Sequence, residues 1–328
     1  MEEKNCLARL SRAEHPYMLR MLDTAKDDAS LYFMLRPVLG GSLHKHATRR
    51  VSDSALNLSI GAVRGYAAEV VSALRFLTAH GIVHRDIKLN NLLLNDRGHA
   101  VLCDFSSAKM LYPNDYHASV LEIAPEAAAR TFTVTGSLHN MAPEMAAESC
   151  GHSFPVDWWA LGVLIHELLT GEGFPWGERD AATRRTSALL ALGQDQDHDW
   201  AEGKGERWAG RPNPWEWSAI EPPLALLPCY TSADSNHGRG LAARDLVGRL
   251  LAVRPEQRLP HTCLQDALAD LEAHAFFDGV NWAAVHEGTS PAPWPDFDRR
   301  LGFLELLAPA AANEPVVTTE QQAMFEGF

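Results

Sequence analysis

From Val156 to Thr170 the stretch "VDWWALGVLIHELLT" carries apolar side chains nearly all round a helix. A surface helix keeps one polar face, so this one has to be enclosed by other elements. It contains His166 and Glu167 and is too short to cross a bilayer. The rest of the chain must therefore supply apolar structure to surround it. A second helix is expected where Val63, Tyr66, Ala67, Val70, Val71, Leu74 and Leu77 fall at helical spacing, with Gly81 as the stop. A third is expected over "LAARDLVGRLLAV", residues 241–253.

Strand patterns are fewer and lie mostly early. "YMLRMLDT" and "SLYFMLRPV" read as two short strands joined by "AKDDA". "NLLLN" and "HAVLCD", split by "DRG", read as a hairpin. An amphipathic helix carrying Cys6, Leu7 and Leu10 on one face precedes them. Residues 193–240, rich in Gly, Pro, Asp and Trp, read as an irregular insertion, and the tail from about 280 is Pro-rich. "GRGLAA" from Gly238 superficially resembles a dinucleotide fingerprint, but no strand precedes it, so a helix-entry loop is expected.

Composition sets the class. The chain has 328 residues, 46% of them hydrophobic and 22% charged, as expected of a soluble globular protein. A net charge of −13 argues against a general partner for nucleic acid or anionic membrane. The five cysteines are scattered without metal-type spacing and suit reduced thiols, so a cytoplasmic or nuclear location is expected. The start, "MEEKNCLARL", lacks the basic-then-apolar pattern of a signal peptide.

The chemistry concentrates in "HRDIKLNN", residues 84–91, directly after the second helix. Asn91 and Asp104, on neighbouring loops, offer the amide and carboxylate oxygens that suit a hard cation such as Mg²⁺. Asp86 can take a hydroxyl proton beside Lys88, a cation able to neutralise transferred phosphate. Phosphoryl transfer needs those parts, because its catalysis is mostly positioning and charge neutralisation.

These segments resemble the eukaryotic protein kinases. "HRDIKLNN" is similar to that family's catalytic loop, "DFS" at Asp104 to its DFG triplet and "MAPE" to its APE motif, in the family's order. "VDWWALG" and "RPEQRL" resemble later family motifs. The resemblance implies an α+β, protein kinase-like fold, with a truncated small β-rich lobe and a large, mainly helical lobe. It implies Asp86 as catalytic base, Lys88 as phosphate contact, Asn91 and Asp104 as Mg²⁺ ligands, and Leu35, Arg36, Val38 and Leu93 around the adenine of ATP. It pairs Glu144 with Arg258 and has Asp157 brace the catalytic loop. Glu3 becomes the candidate ion-pairing glutamate of the first helix.

Within the family, "VDWWALGVLIHELLTG", "HAFFDGVNWAAV" and the closing "FEGF" resemble the AGC group, with Phe325 and Phe328 spaced like its hydrophobic motif. Residues 1–37 then correspond to part of the small lobe and 38–279 to the large lobe, with insertions near 111–129 and 193–240. Residues 280–328 correspond to the C-terminal extension. Thr133 falls at the AGC phosphorylation position, where Arg85 would receive the phosphate added by an upstream activating kinase. Glu167 would contact the protein substrate. Ser106 stands at the DFG glycine, Leu89 at the usual proline, and Asn90 and Ser42 where acids hold substrate arginines. No stretch resembles the glycine-rich loop or the strand lysine. Two functions therefore stand: a serine/threonine kinase using ATP and Mg²⁺, or a pseudokinase or scaffold module.

Overall fold

The computed structural model describes residues 2–27, 30–52, 58–112, 129–146, 151–171, 237–252, 254–260, 265–295 and 297. Phe325, Phe328 and most of the two expected insertions lie outside these residues. No helix among the described residues is long and apolar enough to cross a membrane.

The enclosed helix is α5 (Pro155–Thr170) in the order of the described elements, buried from Val156 to His166 and again at Leu168 and Leu169. It packs against α3 (Ile60–Ala79) and α6 (His237–Leu250). The α6 contact is close enough that a Cβ on Gly162 would come within 2.9 Å of Leu250 Cβ and Leu251 Cδ2. Helix α3 starts at the Ser59 cap, whose Oγ accepts from the Ala62 N–H at 3.1 Å. It ends before Gly81, at φ +68. Its buried surface includes the polar side chains Glu69, Ser72 and Thr78, of which Glu69 is ionisable. Glu69 accepts from His99 Nδ1 at 2.6 Å and from the Ala100 N–H at 2.8 Å, tying α3 to the hairpin beyond it.

That hairpin is β4 (Leu92–Leu94) against β5 (Ala100–Leu102), as its turn residues indicated. A short pair, β3 (Ile82–Val83) with β6 (Lys109–Met110), flanks it. Ahead of these lie α1 (Glu2–Leu10), burying Cys6, Leu7 and Leu10, and the antiparallel strands β1 (Met21–Lys26) and β2 (Leu31–Leu35). Strand β1 begins at Met21 rather than Tyr17, because the preceding backbone pairs elsewhere. The Tyr17 carbonyl accepts from the Leu102 N–H, and the Leu19 N–H donates to the Leu102 carbonyl, both at 2.9 Å. "GRGLAA" also departs from expectation, lying inside α6 instead of in an entry loop, so residues 237–240 of the expected insertion are helical. Between β2 and α3 runs α2 (Leu43–Ser52).

After β6 the described chain resumes at residue 129 and reaches α4 (Pro143–Ala146). Arg258, fully buried, reaches it with a two-pronged ion pair: Nη1 donates to Glu144 Oε1 at 2.6 Å and Nη2 to Oε2 at 3.0 Å. The same guanidinium donates to the carbonyls of Pro155 and Ala252 and lies over the Trp159 ring, 5.2 Å from its centroid. Helices α7 (Gln265–Glu272) and α8 (Trp282–Glu287) complete the described elements. Removing one partner of a buried pair strands the other's charge, so Arg258→Ala should lower unfolding stability by about 3–5 kcal/mol in urea titration.

Candidate active site

Residues 84–91 leave β3 and turn back under the N-terminus of α5. Two backbone donors fix the turn: the His84 N–H bonds Asp157 Oδ2 at 2.8 Å and the Arg85 N–H bonds Oδ1 at 2.7 Å. Burial raises the Asp157 carboxyl to about 6 despite these two bonds. The loop holds Arg85 at φ 68, and Asp104 beyond β5 stands at φ 60. They are the two non-glycine residues with positive φ among those described, and such strain persists where surrounding bonds over-determine it.

His84 is buried and neutral. Burial lowers its pKa to about 4; Nε2 lies 3.1 Å from the Cys103 carbonyl, and Nδ1 accepts from the Asp86 N–H at 3.3 Å. The proton therefore sits on Nε2, and the ring braces the loop.

Asp86 is the centre of the cluster. Lys88 Nζ donates to its Oδ2 at 2.8 Å, Asn91 Nδ2 to the same oxygen at 3.0 Å, and the Ser137 N–H to Oδ1 at 2.9 Å. Burial alone would push this carboxyl up, but the bonds from Lys88 and Ser137 outweigh it and hold it below the usual carboxylate range. Lys88 also donates to Ser137 Oγ at 2.8 Å. Ser137 was the residue missed in the sequence. The approach that brings it in needs Gly136 at φ +92, since a Cβ there would lie 2.3 Å from the Arg85 carbonyl oxygen.

Asn91 and Asp104 converge through the backbone, where the Cys103 N–H donates to the Asn91 carbonyl at 2.9 Å. Asn91 commits its amide nitrogen to Asp86, including the Asp86 carbonyl at 2.9 Å, which leaves the amide oxygen as the atom that could meet a cation. Asp104 Oδ1 accepts from Ser106, leaving Oδ2. Two hard oxygens of this kind fit Mg²⁺, which completes its shell with water and phosphate oxygens. Among the described residues no group of three or more His, Cys, Asp or Glu side chains could hold a metal unaided.

The remaining candidates lie outside this hydrogen-bonded cluster. Glu3 is half-buried, its carboxyl raised by burial and by the charge of Asp104. Leu35 and Arg36 are exposed, while Val38 and Leu93 pack against the core. A cavity of ≈ 640 Å³ is lined by Arg36 and Val38 together with Glu14, Arg20 and Asp96. It touches none of Leu35, Leu93, Asp86, Asn91 or Asp104 and so lies apart from the cluster.

Arg85 Nε donates to the Ser107 carbonyl at 2.7 Å and Nη1 to the Thr133 carbonyl at 3.2 Å. Of the three threonines in this segment, Thr131 is buried, Thr135 Oγ1 lies 3.1 Å from Ser107 Oγ, and Thr133 is exposed.

Residues 1–274 match the protein kinase domain, so the chain belongs to the protein kinase family. Its relatives fall in the AGC group. Among them, a cAMP-dependent protein kinase catalytic subunit-like protein of Caenorhabditis briggsae is 31% identical over 282 residues, 85% of this chain and 55% of the relative. Mouse ribosomal protein S6 kinase alpha-4 is 30% identical over 282 residues, 85% of this chain and 29% of the relative. The 3-phosphoinositide-dependent protein kinase 1 of Arabidopsis thaliana is 30% identical over 289 residues, 88% of this chain and 48% of the relative. The chain thus spans under two thirds of the length of these relatives.

Glu167, near the end of α5, is raised to about 7 by burial, with His44 Nδ1 3.9 Å away. Its folded value lies above the ordinary 4.5, so its stabilising contribution is present below about 4.5 and lost as pH rises through 7. Glu167→Gln should therefore gain on the parent as pH rises from about 4.5 to 7 and keep that gain above it, by no more than about 3 kcal/mol in paired thermal melts.

Proposed function

We propose that the chain is a serine/threonine protein kinase that moves the γ-phosphoryl group of ATP to hydroxyls of protein substrates with Mg²⁺. The carrying observation is the Asp86 carboxylate, held by Lys88, Asn91 and Ser137 and kept ionised at neutral pH. ATP supplies the phosphoryl group and Mg²⁺ offsets its charge. Asp86 orients the substrate hydroxyl and accepts its proton as that oxygen bonds phosphorus and the phosphorus bond to the oxygen of departing ADP breaks. Lys88 balances negative charge on the group in transit. Asn91 and Asp104 would hold the cation, and Leu35, Arg36, Val38 and Leu93 would frame the adenine. Glu167 faces the substrate.

A scaffold without catalysis is the other reading from the sequence, and the complete Asp86–Lys88–Ser137 network favours the transferase. Asp86→Asn and Asp104→Ala should each reduce radiolabel transfer to a peptide by roughly 10²–10³-fold. Full transfer by Asp104→Ala would remove the cation from this site.

Regulation by phosphorylation at Thr133 follows from the same segment. A phosphate brings roughly −1.5 to −2 charge, and Arg85 already reaches the backbone there. An upstream activating kinase would add it, and the resulting pair would fasten the segment beside Asp86. Mass spectrometry of protein from its own cells should find modified Thr133, and Thr133→Ala should lose activity. An unmodified Thr133 whose alanine variant matches the parent excludes the switch.

A further inference from the structure

We propose that Ser106 is a positioning residue that sets the strength of the cation site through Asp104. The inference rests on the reading of Asp104 as a cation ligand. Asp104 is exposed on the turn after β5. Its Oδ1 accepts from the Ser106 hydroxyl at 2.6 Å and from the Ser106 N–H at 3.3 Å. The backbone contact is long, so the hydroxyl supplies the firm bond, at the length of a charge-assisted O–H···O⁻ contact. A glycine, which the resembled triplet carries here, would offer the N–H alone.

The consequence is a division of the carboxylate. Oδ1 is spent on Ser106, the carboxylate plane is fixed, and Oδ2 is the oxygen presented to a cation. A neighbour that orients a ligating carboxylate in this way typically governs metal affinity by about 10–100-fold. The positive φ of Asp104 adds to the need, because the residue stands in a sparsely populated backbone region and gains an anchor two residues on. A hydroxyl serving only the turn would leave cation affinity unchanged when removed.

The test uses Mn²⁺ with ADP, read by electron paramagnetic resonance on the full chain. Ser106→Ala and Ser106→Gly should weaken ADP-dependent Mn²⁺ binding by about tenfold or more, and Ser106→Thr should restore it. The alanine variant should also need more Mg²⁺ for half-maximal phosphoryl transfer, with a smaller change in kcat at saturating Mg²⁺. Parent-like Mn²⁺ binding by both variants, alongside loss of binding in Asp104→Ala, overturns the role of Ser106 alone. Parent-like binding by Asp104→Ala overturns the cation reading and this inference together.

Discussion

Two backbone N–H groups, on His84 and Arg85, end on the two oxygens of one buried carboxylate, Asp157. Everything at the site hangs from that junction. Asp157 lies in the first turn of the most enclosed helix, so the loop inherits the rigidity of the core rather than that of the surface. From there the loop sets Arg85 at positive φ, which turns its carbonyl toward Gly136 and its side chain toward Ser107 and Thr133. The cost of ionising a buried carboxylate is visible in the raised pKa of Asp157, and two short backbone bonds partly offset it.

The same economy of position appears in the neighbouring pair. Arg258 is wholly buried yet leaves no donor stranded on Glu144, because each carboxylate oxygen meets its own guanidinium nitrogen. The pair joins α4, which follows the segment carrying Ser137, to the start of α5, which carries Asp157. The two halves of the cluster are therefore referenced to one helix.

The apolar run of α5, the spacing in α3 and the turn residues before β5 were enough to read those elements, since burial and turn chemistry leave periodic marks. The first strand was read four residues too early because Tyr17 to Leu19 are as apolar as a hairpin strand, and nothing local says that Leu102 is their partner. Among the site residues, Asp86, Lys88, Asn91 and Asp104 were legible as an ordered set. Ser137 was not, because it reaches Asp86 from 51 positions away through a backbone N–H, which any residue possesses. The Ser106 hydroxyl was seen as a lost glycine, although a hydroxyl two residues after an aspartate is a local bonding pattern the sequence does carry.

Arg85 bonds backbone carbonyls at Ser107 and at Thr133, so a single guanidinium clips together the two ends of the stretch between them. Loss of that one side chain would free both carbonyls at once, so the turn after β5 and the segment ahead of α4 are held or released together.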